Sequence, residues 1–349
     1  MALLIPTPTP SEICGFSLEK MLNCGHSGRV FWGHHIESEQ PVVVKLVKKM
    51  TSWTVETNAL PHLDHPNIVK MVGTHESNVH RSRKQTFKKR DLKNYNIHSY
   101  TAGTNFHLDS CDFQVVTERE DTVDAVAVVH VLAQEFAANG DFYTLLMHHD
   151  SFPENVARTL VKPVVQALDY AYKQGISHRD IKLENIFITE GGVVKVGDWG
   201  LCGFQTRGRL CSSSVGTLGY MAPELLCRER YNANKTDVWA VGVLLFSICT
   251  GVRPYGEPKQ RKKHNGDDLW RDTWLSLMLN CKWKEWWWMH MHAAEHIKNL
   301  SKDLKDLFEN MFAEQEKRAT LEHVLNHPWM KGPVVENHEI VSLCHARLV

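Results

Sequence analysis

The chain has 349 residues, enough for two or three domains on length alone. It is 43% hydrophobic and 23% charged, a balance ordinary for a soluble globular protein, and 40 Lys and Arg offset 40 Asp and Glu. With no net field to attract them, neither nucleic acid nor a membrane surface is expected as a partner, and only local patches remain for either.

The nine cysteines are scattered, odd in number and free of any CxxC pair, which argues for a reducing compartment and against a disulfide framework or zinc site. The opening MALLIPTPTP has no basic region and too short an apolar run for a secretory leader. The longest apolar stretch, Val238 to Cys249, is shorter than a membrane span. The expected location is therefore intracellular, cytoplasmic with nuclear entry open. The 21 histidines do not cluster with carboxylates at ligand spacing.

From Leu18 to Leu46 the residues alternate, with Gly25 and Gly28 between, and predict a hairpin followed by the strand PVVVKLVKK. Thr51 to Leu63 has helical spacing, and His65-Pro66 is expected to end it because the residue before Pro disfavours the helical region. Short strands are predicted at Ile68 to Val72 and Val126 to Phe136. Residues 79–124 form a polar insert opening on the basic run His80 to Arg90. Two readings are open for that run: a localisation signal or acidic-partner site, and a solvated stretch of insert.

Helices dominate after Asn155. Val156 to Tyr172 is amphipathic, and Asp237 to Cys249 is apolar around most of its circumference, so it should be central and buried. Leu269 to Trp288 is tryptophan-rich and ends in Trp286, Trp287 and Trp288, either a docking patch for a partner or core packing. Leu304 to Met311 and Leu321 to Leu325 read as short amphipathic helices, and Pro333 to Val349 as a loosely packed extension.

The densest chemistry lies in His178 to Asn185, HRDIKLEN, followed by Asp198 in GDWG. Together they supply a base, a cation, an amide and a second carboxylate, a set suited to metal-assisted phosphoryl transfer. With MAPE at Met221 to Glu224 and HPNIV at His65 to Val69, the chain resembles the eukaryotic-type Ser/Thr protein kinases over residues 16–330. More weakly, the KLEN loop and HPWM near Pro328 look like the calcium/calmodulin-dependent and AMP-activated branch.

The resemblance implies an α+β, two-lobed fold: a small β-rich N-lobe (16–135) with one regulatory helix, a larger helical C-lobe (138–330), a hinge at Glu135 to Ala138 and an active site in the cleft. Residues 1–15 and 331–349 are then an N-terminal extension and a C-terminal tail. It implies ATP and Mg2+ as cofactors and Ser or Thr of a protein as acceptor, the last from Lys182 and Thr217. Asp180 is the implied catalytic base and Lys182 its cation. Lys45 is implied to hold the ATP phosphates and Glu56 to fix Lys45. Asn185 and Asp198 are implied to bind the metal.

The nucleotide loop would run from Asn23 through Gly25 and Gly28 to Val30, with Asn23 where relatives usually carry a first glycine. Val30, Val43 and Phe187 would enclose the adenine. Glu135 and Ala137 would offer it backbone bonds, Gln134 would stand beside it, and Asp141 would bond the ribose. Val43 replaces a customary Ala, and Trp199 replaces the Phe of the usual DFG, with His178, Leu60 and Met71 as its expected neighbours. Ser213 is the implied regulatory phosphosite, facing Arg179. Glu224 and Arg318 should form a structural ion pair. Glu184 would favour a basic residue before the acceptor, whereas Ser247 stands where some basic-directed relatives carry a second acid. The alternative, a pseudokinase or scaffold acting through the insert and the tryptophans, requires a broken catalytic residue. Lys45, Glu56, Asp180, Asn185 and Asp198 are all present.

Overall fold

In the computed structural model, residues 11–25, 28–47, 50–80, 126–204, 210–256, 273–293, 297 and 299–346 are described. They form two compact units, Met1–Met50 with Met71–Phe136, and Thr51–Lys70 with Ala137–Val349.

The first unit begins with a hairpin of β1 (Ser11–Ile13) and β2 (Phe16–Leu18). Its turn uses Cys14 and Gly15, both at positive φ (51° and 84°). Residues 11–15 are thus paired structure and not a bare extension. Next come β3 (Lys20–Gly25), β4 (Gly28–His34) and β5 (Pro41–Val47), then α1 (Met50–Ala59), β6 (Met71–His80) and β7 (Val126–Glu135). The strands form one antiparallel sheet in the order β3-β4-β5-β7-β6. Alternation along β5 and β7 places Val42, Val44, Val131 and Ala133 on the same core as Phe16. Gly33 is required because a Cβ there would run into the Ser17 carbonyl oxygen.

Three predicted boundaries move. The α-helical part of α1 ends at Ala59, and Leu60–His62 tighten into a 3₁₀ turn. Pro61, which has no N–H to give, stops the α-helix before His65-Pro66 can. Ile68 makes only an isolated bridge to Val196, and the strand proper starts at Met71 and runs to His80. The first two residues of the expected insert, Val79 and His80, therefore belong to β6. The rest of it, with its basic run beyond His80, lies outside the described residues.

Helix α1, expected to be a regulatory helix of the N-lobe, lies between the first unit's strands in the chain but groups, from Thr51 on, with the second unit. Asn67 Nδ2 donates to Val194 O (2.8 Å), Asn67 O accepts from Val196 N (2.8 Å), and the His65 ring packs 5.1 Å from that of Tyr170. The second unit continues with α2 (Phe142–His149), α3 (Glu154–Lys173), β8 (Ile176–Ser177), β9 (Ile186–Ile188), β10 (Val194–Val196), β11 (Gly203–Phe204) and α4 (Pro223–Leu226). Then follow α5 (Ala233–Thr250), α6 (Thr273–Leu279), α7 (Trp283–Ala293), α8 (Lys302–Met311), α9 (Leu321–Asn326) and α10 (Asn337–His345). Helix α5 is buried on all sides, as its sequence predicts, and stops at Gly251, whose φ of 71° suits a glycine terminator. Asn232, Ser301 and Thr320 cap α5, α8 and α9 with their side chains.

The tryptophans of α7 divide. Trp286 is fully buried against Phe246, Phe312 and His290, and Trp287 is buried beside Phe308, while Trp288 is 58% exposed. A docking patch made of all three is excluded, because successive helical residues point about 100° apart.

The described part of the tail, up to residue 346, packs on the second unit. A Glu336–Glu339 capping box starts α10, and Ile340 is fully buried. His149 Nε2 donates to Leu343 O (2.7 Å), and Val335 N donates to Thr159 Oγ1 (2.8 Å). The buried Arg158 reaches the carbonyls of Trp329 and Pro333 with its guanidinium over the Trp329 ring. The expected loose extension is therefore a docked helix. Among the described residues no helix is long and apolar enough to cross a membrane, and Cys14, Cys202, Cys211, Cys249, Cys281 and Cys344 form no disulfide.

Candidate active site

The loop after β8 is shaped by a residue far along the chain. Asp237, near the start of α5, accepts from His178 N (Oδ2, 2.9 Å) and Arg179 N (Oδ1, 2.8 Å). That grip holds Arg179 at φ 67°, a conformation uncommon for any side chain but glycine. Burial raises the Asp237 carboxyl to about 7, against the pull of the two backbone N–H groups and Arg179. His178 is fully buried, and burial lowers its pKa. Its Nε2 bonds Gly197 O (2.9 Å) and its Nδ1 accepts from Asp180 N (3.2 Å), so the proton sits on Nε2.

Three donors converge on the Asp180 carboxylate. Thr217 Oγ1 donates to Oδ1 (2.7 Å), while Lys182 Nζ (2.9 Å) and Asn185 Nδ2 (3.2 Å) donate to Oδ2. Lys182 Nζ also donates to Thr217 Oγ1 (3.1 Å). Gly216, at φ 117°, lets the segment carrying Thr217 approach so closely that a Cβ would lie 2.7 Å from Arg179 O. The arrangement holds an acceptor oxygen in a set orientation with a cation beside it.

Asn185 also donates from Nδ2 to Asp180 O (2.8 Å). Its amide is thereby oriented, with Oδ1 as the atom left to accept a further partner. Asp198 is left-handed (φ 57°, ψ 64°) at the start of a 3₁₀ turn. The preceding Gly197 is pressed so tightly that a Cβ would fall 2.8 Å from Phe187 and 2.9 Å from Val69. Trp199 is fully buried, donates from Nε1 to Val196 O (3.2 Å) and lies 4.6 Å from the His178 ring. Its larger ring is thus accommodated, with one expected neighbour, His178, in place. No three His, Cys, Asp or Glu side chains among the described residues form a protein-only metal cage. The side-chain oxygens of Asn185 and Asp198 would suit a hard cation that takes its other ligands from phosphate and water, which is the habit of Mg2+.

The first unit carries residues that the sequence assigns to the nucleotide. Gly25 pairs with Gly28 and Asn23 with Val30, and His26 and Ser27 between them lie outside the described residues. Asn23 is exposed beside a register shift, and Gly28 is at φ 150°, where a Cβ would strike the Leu46 carbonyl. Val30 pairs with Lys45, Val43 with the buried Gln134, and Val42 with Glu135. The division between units falls after Phe136, within the expected hinge. In the second unit, Glu56 is buried on α1. Ala137 O accepts from Gly140 N (3.3 Å). Asp141 bridges to Phe187 and caps α2 by accepting from Thr144 N (2.7 Å), and burial raises its carboxyl.

Arg179 gathers both arms of the segment after Asp198. It donates to Leu201 O (2.8 Å), Cys202 O (2.7 Å) and Ser213 Oγ (3.0 Å). Residues 205–209 of that segment lie outside the described residues. Arg318 makes a bidentate pair with Glu224 (2.6 and 3.0 Å), both partners buried, and lies over the Trp239 ring. Sequence reasoning missed Asp237. A carboxylate beginning an otherwise apolar helix was the available signal, since a buried carboxylate needs donors.

The protein kinase domain pattern matches residues 16–330. The human SNF-related serine/threonine-protein kinase is 25% identical over 327 residues, covering 91% of this chain and 34% of that protein. Protein kinase kin1 of Schizosaccharomyces pombe is 27% identical over 335 residues, 96% of this chain and 32% of that protein. Serine/threonine-protein kinase kin-29 of Caenorhabditis elegans is 31% identical over 199 residues, 57% of this chain and 22% of that protein. The chain spans about a third of the length of the first two relatives. With a pattern match over nine-tenths of its residues, spanning the Asp180 loop, the Asp198 turn and the Glu224–Arg318 pair, this chain belongs to the protein kinase domain family.

Proposed function

We propose that this chain is an ATP- and Mg2+-dependent kinase that phosphorylates Ser and Thr hydroxyls of proteins. The observation that carries the reading is the Asp180 carboxylate, oriented by Thr217, Lys182 and Asn185. A substrate hydroxyl reaching Asp180 would be aligned by that carboxylate and lose its proton to it late in the transfer. Lys182 would offset charge on the transferred group. Asn185 and Asp198 would hold Mg2+, which neutralises phosphate charge when bound. Lys45, Gly25, Gly28, Val30, Val43, Gln134, Glu135, Ala137, Asp141 and Phe187 are assigned to the nucleotide.

Arg179, already bonded to the Ser213 hydroxyl, supports Ser213 as a switch, since a phosphate there would meet a guanidinium in place. Glu184 stands as the acid for a basic substrate residue, and burial raises its carboxyl. Ser247 adds nothing to this selection, because it is buried and donates to Val243 O (2.9 Å). The odd number and scattered spacing of the cysteines support a reducing intracellular location.

The test is radiolabelled phosphate transfer from ATP and Mg2+ to a generic basic protein and to the chain itself. Label on Ser or Thr that vanishes in Asp180→Ala, Asp198→Asn and Lys45→Met supports the proposal. Equal incorporation by any one of these variants refutes the role given to that residue.

A further inference from the structure

A cation sits against the segment that follows Thr217. Leu218–Tyr220 forms a short 3₁₀ turn between Thr217, bonded to Asp180, and Glu224. Gly219 in that turn is buried, and a Cβ on it would run into Nη1 of Arg253. The guanidinium therefore lies directly on the Gly219 backbone, in space that any other residue at 219 would contest. Arg253 itself is exposed, as are its flanking apolar neighbours Val252 and Leu218, both at 43%.

The piece bearing Arg253 is firmly placed. Gly251 terminates α5, and Tyr255 OH accepts from the buried Trp239 Nε1 (2.9 Å) while donating to Met221 O (3.4 Å). Burial raises the Tyr220 phenol pKa, Glu184 raises it further, and Arg253 opposes part of that rise. The surface around the proposed acceptor position is thus bipolar. Glu184 supplies an acid and Arg253 a cation, and both act on Tyr220.

We propose that Arg253 is a specificity residue, selecting a carboxylate or phosphate on a substrate residue close to the accepting hydroxyl. The inference rests on the kinase reading of the site and adds to it a second, opposite charge preference. A guanidinium can pair two oxygens of either anion at once, and the exposed Val252 and Leu218 can cover the carbon stem of the selected residue.

The test uses serine peptides in which Glu, phosphoserine or Lys is placed in turn at each position around the acceptor. Both kcat/KM and binding affinity by fluorescence anisotropy are measured. At one position, Glu should exceed Lys by about threefold, the range of an exposed ion pair, and phosphoserine by more. Arg253→Ala should abolish the preference and Arg253→Glu should invert it. Arg253→Lys should keep the preference for Glu and lose most of the extra gain from phosphoserine. A Glu-to-Lys ratio unchanged by Arg253→Ala and Arg253→Glu at every position overturns the inference. Phosphate transfer without charge discrimination leaves the kinase reading intact and refutes this one. Discrimination in binding without transfer does the reverse.

Discussion

Removing the Asp237 carboxylate tests whether a distant residue sets the conformation of the Asp180 loop. The fully buried N–H of His178 and that of Arg179 both end on this carboxylate. Each N–H left without an acceptor costs about 1–3 kcal/mol, so Asp237→Ala should destabilise by about 2–6 kcal/mol. Asp237→Asn keeps one acceptor oxygen and should lose about half as much. Urea denaturation, compared at equal m-value, reads the loss.

The same residue predicts a pH dependence. Its folded pKa of about 7 lies above the ordinary carboxylate value. Its contribution is fully present below the unfolded pKa of about 4 and is lost as the pH rises through about 7. Three pKa units correspond to about 4 kcal/mol across that window. Asp237→Asn cannot titrate, so its stability should be flatter than wild type between those limits. Turnover should also fall in both variants, because Arg179 loses the anchor that holds φ at 67° and Asp180 follows it directly. An Asp237→Ala protein within about 1 kcal/mol of wild type, with normal turnover, would refute the reasoning.

Glu224→Ala leaves the Arg318 guanidinium buried without its bidentate partner and should lower stability by about 3–5 kcal/mol in denaturant melts; a loss near zero would show that Ala313 O and Lys235 O satisfy it alone. Trp286→Ala should cost about 3–5 kcal/mol by the same measurement. Trp288→Ala should stay within about 0.5 kcal/mol, and equal effects would contradict their assigned positions. Ile340→Asp should undock α10, seen as fast hydrogen exchange over Asn337–His345 with the rest of the chain protected. Retained protection there would mean that Ile340 does not anchor the helix.

Local chemistry was legible in the sequence. His178 to Asn185 carries base, cation and amide within one turn of chain, so spacing alone brought them together, and the structure closes them at hydrogen-bond distance. The alternation around Lys45 placed Val42 and Val44 on a core, and the unbroken apolar circumference of α5 required burial. The division of Trp286 from Trp288 was available too, because residues two apart on a helix point about 200° apart.

Tertiary structure alone decided the rest. Asp237 lies 59 residues from the N–H of His178, and Thr217 lies 37 from Asp180; no local pattern signals such pairings. The tail looked polar and loose because one buried side chain, Ile340, and a few backbone acceptors dock α10, a pattern too sparse for periodicity to register. Arg253 was an ordinary exposed arginine until the fold laid it on Gly219. Sequence specifies what neighbouring residues do to one another through backbone geometry. Hydrogen bonds and charges meeting across long separations depend on where the chain returns, and that is settled only when the whole core packs.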